Sequence, residues 1–445
     1  MPSFTGPRIG LARRHPWSTL AGSPPRTEGE APGAAMSAQE TSAWGMSAKG
    51  PAKTAGGDGM PRAVTHAERP EEAARELRAG LGAGLGIGAG AMGLELVVVF
   101  CAPCYDRAAL ADALAAEFGT VPVIGCTTAG EIGPGGYTTN ALVAVGFPSE
   151  DFSIVTALVD HVDRFEIADS AVIARSLLSR RDRAMAARPV PLGEEARSFA
   201  MLLIDGLSMS EETVVSALHN ALIDIPLFGA SAGDDLHFER TFVLHEGAFH
   251  PNAAVVALFT TARPFTVFRT QHFVSSERKM VVTGADPQRR IVHEINAEPA
   301  GREYARLVGL EGEPLTPMIF AAHPVVVRVG GQYHVRSIQK VNDDESLTFF
   351  CAIDEGIVLT VAEGVDPVAN FDGLIEGIEA EVGAPDLILG CDCILRRLEM
   401  EQRQLNAVMS DRLARHRVVG FCAYGEQVNG MHVNQTFTGV AIGGR

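Results

Sequence analysis

From residue 94 onward the chain repeats one unit three times, and an internal repeat fixes architecture before any single motif does. Each copy opens on a short apolar run of the kind buried inside a sheet: Leu94 to Phe100, Phe199 to Ile204, and Leu387 to Gly390. A polar break follows, then apolar residues at helical spacing. These are Leu110, Leu114 and Phe118 in the first copy, Val215, Leu218 and Leu222 in the second, and Leu398, Leu405 and Val408 in the third. Ser208 with Glu211 three residues on has the form of a capping box for the second helix.

A second strand then runs into glycine: Val121 to Gly125, Ile225 to Gly229, and Val418 to Phe421. The loops that follow read Gly125-Cys-Thr-Thr-Ala-Gly130-Glu131, Gly229-Ala-Ser-Ala-Gly233-Asp234 and Gly420-Phe-Cys-Ala-Tyr-Gly425-Glu426, each two glycines around small residues and then a carboxylate. A further strand closes each copy, at Ala141 to Val145, Ala253 to Leu258 and Phe437 to Ile442. The pattern predicts an α/β protein of mixed sheets with flanking helices, built from divergent β-α-β-loop-β units. Uneven spacing of the copies marks an ancient duplication, not a solenoid.

Between the second and third copies the pattern turns mostly β, a β-rich insert. Hairpin signals stand at Asp286-Pro287 and Gly330-Gly331, and strand-like runs at Met280 to Thr283, Val325 to Val329 and Leu347 to Phe350. One helix is expected there, from Pro299 to Val308, stopped by Gly309. Residues 1–70 hold 9 prolines, 10 glycines and both tryptophans, with little periodic apolar pattern, and read as a disordered tail. Met36, Met46 and Met60 are alternative starts, and a mis-assigned initiation codon accounts for the tail equally well.

A chain of 445 residues, 46% hydrophobic and 20% charged, has ample apolar material for two or three cores. Its net charge of −17 repels phosphate backbones and anionic lipid, which argues against nucleic acid and membrane as partners. Seven sparse cysteines form no disulfide framework, no signal peptide is recognisable, and no apolar window is long enough to span a bilayer, so a cytoplasmic location is expected. No phosphate-loop lysine motif is present. The glycines of Gly82 to Gly90 precede a strand, the wrong side for a dinucleotide loop.

The three loops are also where the chain resembles a known family. Gly125 to Ile132 resembles the signature of the FIST N-terminal domain, and Gly420 to Gln427 followed by Met431 to Ile442 resembles the end of the FIST C-terminal domain. Ile295-Asn-Ala-Glu-Pro-Ala300 and Gly390-Cys-Asp-Cys-Ile-Leu-Arg-Arg397 fall in the order that family would place them. The resemblance covers about residues 71–445, with an N-terminal domain over 71–265 and a C-terminal domain over 266–445. It implies a sensory module without catalysis that binds a small ligand such as an amino acid and signals through a histidine kinase or a cyclic-di-nucleotide enzyme. The last segment looks most like the stand-alone branch that includes haem-binding nitric oxide sensors.

The candidate ligand-binding residues are Gly125, Gly130, Glu131, Gly233, Asp234, Arg396, Tyr424, Gly425, Glu426 and Asn434. Glycine lets a ligand approach the backbone, and a carboxylate beside it can hold an ammonium group. The plainer reading is that the glycines supply positive φ while the acids cap turns or pair with Arg396 or Arg397. Glu426, Tyr424 and Asn434 form the most promising cluster, since buried polar groups must be satisfied. His432 is the candidate haem ligand, although most histidines so placed are structural. Cys101-Ala-Pro-Cys104, at a strand end before a helix, stands where a thioredoxin-like redox pair would, which keeps a cysteine-dependent redox enzyme as an alternative. Cys391 and Cys393 have no second pair at zinc-site spacing.

Overall fold

The computed structural model describes residues 59–85, 93–188, 190, 192–193, 195–329 and 331–445. Most of the expected tail, with both tryptophans, Met36 and Met46, lies outside the described residues. Its last part is not a tail. Arg62–Thr65 is a strand paired antiparallel with Leu142–Pro148, Met60 is buried, and the helix Pro70–Gly84 starts on proline. Alternation was too short across four residues to announce that strand in the sequence.

Each repeat proves longer than the unit legible in the sequence, because a leading strand and helix precede it. The first repeat runs through Arg62–Thr65, helix Pro70–Gly84, Leu94–Cys101, helix Arg107–Phe118, Val123–Thr127, the hairpin Glu131–Gly133/Gly136–Thr138, and Leu142–Pro148. The second runs through Phe152–Val159, helix Ile167–Ala187, Arg197–Ile204, helix Glu211–Leu222, Leu227–Ser231, the hairpin Val243–His245/Ala248–His250, and Ala254–Thr261. The third opens with Phe265–Thr270 and resumes at helix Pro367–Val382. It continues through Pro385–Cys393, helices Ile394–Gln402 and Asn406–Arg415, Val418–Ala423, the hairpin Glu426–Val428/Met431–Val433, and Phe437–Gly443.

In each repeat the opening strand of the unit lies parallel to the strand after the helix and antiparallel to the closing strand. That leaves the strand after the helix as an open edge, which would invite foreign pairing if bare. The hairpin of another repeat covers it. The first repeat's hairpin pairs with Val418–Ala423 of the third, the third's with Leu227–Ser231 of the second, and the second's with Val123–Thr127 of the first. Three six-stranded sheets of identical strand order result, closed into a cycle by hairpin exchange. Their inner faces share one core, with Phe100 stacked on Phe421 and Phe199 on Phe259, while the helices pack outside on separate clusters.

The β-rich insert, about residues 273–364, interrupts the third repeat between its leading strand and helix. It builds an eight-stranded sheet with its own core around Tyr304, Phe320 and Phe349. The helix expected from Pro299 is observed as Ala300–Val308, ended by Gly309 at φ 80°. The third copy's helix is corrected. It breaks into two at Gln404, whose φ is 57°, and Met409 and Leu413 face the core while Val408 is exposed. No helix among the described residues is long and apolar enough to cross a membrane.

Candidate functional site

The hairpin exchange brings the three glycine loops to one end of the ring, at the carboxyl ends of the parallel strand pairs, where open α/β sheets carry their ligands. They are hydrogen-bonded to one another pairwise. Ala129 N–H donates to Cys422 O at 2.9 Å and Cys422 N–H to Gly130 O at 2.7 Å; Gly233 N–H donates to Thr127 O at 3.0 Å; Ser231 N–H donates to Gly425 O at 2.8 Å. First, second and third repeats therefore meet in a buried hub.

The glycines have separate tasks within it. Gly125, Gly229 and Gly420 each lie where a Cβ would overlap the backbone of the neighbouring strand, at Val99, Leu202 and Gly390. Gly130, at φ 121°, leaves room for the Arg397 guanidinium, which donates to Ala129 O at 3.0 Å. Gly233 abuts Ala129, and Gly425 abuts His432 and Asn434.

The carboxylates split three ways. Asp234 accepts from the backbone N–H of Phe238, Glu239 and Arg240 and from the Tyr424 hydroxyl, which is the turn-capping alternative. Glu131 is buried, accepts from Thr128 Oγ1 and from Ala141 N–H, and is pushed up to about 7 by burial. Glu426 is fully buried and pushed well up by the same cause; its Oε2 accepts from Thr436 N–H and Oγ1. Neither Glu131 nor Glu426 forms an ion pair with Arg396 or Arg397. The expected cluster of Glu426, Tyr424 and Asn434 comes apart: Tyr424 turns to Asp234, Glu426 to Thr436, and Asn434 Nδ2 donates to Tyr424 O at 3.3 Å. Tyr424 lies in the bend after Val418–Ala423 and Asn434 in the bend after Met431–Val433, so of the three only Glu426 stands on a strand.

Glu131 gives a pH test. An acid whose folded-state pKa lies above its unfolded value binds its proton more tightly when folded, so stability falls as pH rises from about 4.5 to 7. Replacing it with the uncharged isostere, Glu131→Gln, is expected to add up to about 3 kcal/mol above pH 7 and almost nothing near pH 4.5. Denaturant melts at the two pH values check this; an equal effect at both would contradict it.

Arg396 lies in a buried relay. It donates to Asp392 at 2.6 Å and meets His272 Nδ1 at 2.5 Å; His272 Nε2 meets Glu399 at 2.6 Å, and Tyr137 of the first repeat donates to Asp392. A second buried junction was invisible in the sequence. Arg290 of the insert contacts Glu211 and Glu212, each at 2.6 Å, and donates to Phe350 O at 2.7 Å. This corrects the capping box: the helix begins at Glu211 after Ser210, and the Glu211 carboxylate is taken by Arg290. Glu212 Oε1 also accepts from Ala352 N–H at 2.6 Å. Phe350, Phe238 and Tyr424 pack together above the hub.

Beneath the insert, residues 426–435 carry five buried side-chain atoms without a hydrogen-bond partner: Glu426 Oε1, Gln427 Oε1, His432 Nε2, Asn434 Oδ1 and Gln435 Oε1. An unmet buried acceptor costs about 1–3 kcal/mol, so such a concentration calls for a missing partner. Further along the rim an open cleft of about 360 Å³ is lined by Asp205, Leu207, Arg240, Thr241, Phe242 and Asn252, among others. It touches none of the predicted site residues.

His432 does not fit haem. Its imidazole is held neutral, down at about 4, by burial, but the Nε2 edge faces Gly425, where a single Cβ would already lie 2.7 Å away. A porphyrin needs that edge open. The cysteine pair is corrected as well. Burial and Glu131 raise both Cys101 and Cys104, the opposite of an activated thiolate, and Asp106 caps the helix that would have lowered them. No group of His, Cys, Asp or Glu among the described residues has metal-site geometry.

The model of the FIST N domain matches residues 95–298 and that of the FIST C domain residues 300–429. No curated protein matches the chain. FIST domains are associated with small-ligand sensing in signalling proteins. The two matches together cover residues 95–429 except residue 299, and the chain belongs to the FIST family, carrying both its N and C domains.

Proposed function

We propose that the protein is an intracellular sensory module that binds a small ligand, such as an amino acid, at the hub and signals without catalysis through a partner such as a histidine kinase or a cyclic-di-nucleotide enzyme. One observation carries the reading: three loops with glycines and buried acids converge at a single end of the ring, under an insert tied down by Arg290. Binding there changes the free energy of the closed arrangement, and only differential affinity for two arrangements can transmit a signal. Seven free cysteines suit a reducing compartment.

The test is thermal unfolding of the full chain against a panel of amino acids. A ligand at a hundredfold excess over its Kd stabilises by about 2.7 kcal/mol, which shifts the midpoint measurably. A panel without any shift would contradict the amino-acid reading.

A further inference from the structure

We propose that the seam between the insert and residues 426–435 is a binding site for a small molecule rich in hydrogen-bond donors, and that the insert is its hinged lid. The inference rests on the small-ligand reading above and names the site and the chemistry.

The floor offers acceptors. Each amide in it already spends its NH₂ group: Gln427 Nε2 on Ser231 Oγ at 3.0 Å and His432 Nδ1 at 3.3 Å, Asn434 Nδ2 on Tyr424 O at 3.3 Å, and Gln435 Nε2 on Phe320 O and Ala321 O, both at 3.3 Å. Carbonyl partners fix the amides of Asn434 and Gln435, so their unmet atoms are carbonyl oxygens, and Gln427 Oε1 is the third. With three amide oxygens unmet, at Gln427, Asn434 and Gln435, the missing partner supplies N–H or O–H groups.

The lid has a hinge and a latch. The insert leaves the ring after His272 and returns at Val365, whose N–H donates to His272 O at 2.8 Å, so its two connections lie side by side. Across the seam it is fastened by Arg290 to Glu211 and Glu212 and by Ala352 to Glu212. Paired crossings next to each other let a folded unit swing with few dihedral changes.

The experiment uses the full chain and two probes of equal charge, 1,4-diaminobutane and its hexamethylated counterpart, which has no N–H. Calorimetry should show binding of the diamine at least tenfold tighter than that of the methylated compound, and at least a tenfold loss in Asn434→Leu and in Gln427→Met. Equal binding of both probes, or of neither, would overturn the donor chemistry. If the diamine or a stabilising amino acid binds undiminished in both variants, the seam is wrong while the small-ligand reading stands. Hydrogen exchange provides an arm independent of ligand: Arg290→Gln should speed exchange in 426–433 at least tenfold and leave 142–148 unchanged. Unchanged exchange in 426–433 would overturn the lid.

Discussion

Arg396→Ala is expected to cost about 3–5 kcal/mol, a large part of the roughly 5–15 kcal/mol that holds a domain folded. Asp392 is 1% exposed, and without the guanidinium it keeps only the Tyr137 hydroxyl as a side-chain donor, while His272 loses its contact on Nδ1. An uncompensated buried charge accounts for most of the loss, so the pair is worth less than either partner's removal suggests. The double variant Arg396→Met/Asp392→Leu should therefore recover much of the stability. Urea unfolding of both single variants and the double variant measures the coupling, and strict additivity would contradict the account.

Gly420→Ala should be comparably severe, at about 3 kcal/mol or more, because the added Cβ would overlap the Gly390 backbone and the strands cannot part without disturbing the shared core. Gly125→Ala and Gly229→Ala meet the same obstacle at Val99 and Leu202. Gly373→Ala is the control. It lies inside helix Pro367–Val382 with nothing within 4 Å of the new methyl group, and it should stabilise by about 0.5–1 kcal/mol. A set of four melting curves checks the contrast; a mild Gly420→Ala would mean that the sheets yield more than their packing implies.

These glycines also show what the sequence could and could not convey. The glycine-acid loops are legible because the same local requirement, close backbone approach at a strand end, was met three times in recognisable letters. The strands before them are legible because burial on both faces demands unbroken apolar runs. The leading strand and helix of each repeat were hidden: Phe265–Thr270 is separated from helix Pro367–Val382 by the whole insert, and Arg62–Thr65 is too short to show a period. Hairpin exchange was hidden for a different reason. Glu131–Gly133 alternates like any edge strand, and nothing local says that its partner is Val418–Ala423 almost three hundred residues on.

The candidate site divides along the same line. Glycine positions were legible, but the partners of the charged groups were not, because Arg290 and Glu211 or His272 and Arg396 become neighbours only through the fold. Glu426, Tyr424 and Asn434 looked like one cluster since they are close in sequence, and the bends that carry Tyr424 and Asn434 turn them to other partners. Gln427 and Gln435 drew no notice because a glutamine in a polar turn is ordinary until burial leaves its oxygen without a donor.

Loops from all three repeats are bonded to one another in a buried hub. Hydrogen exchange of the backbone amides of Ala129, Ser231, Gly233 and Cys422 tests it most directly, since each donates across repeats. All four should exchange slowly and together, at the rate set by global unfolding. Fast exchange at any one of them, with the adjoining strands still protected, would contradict it.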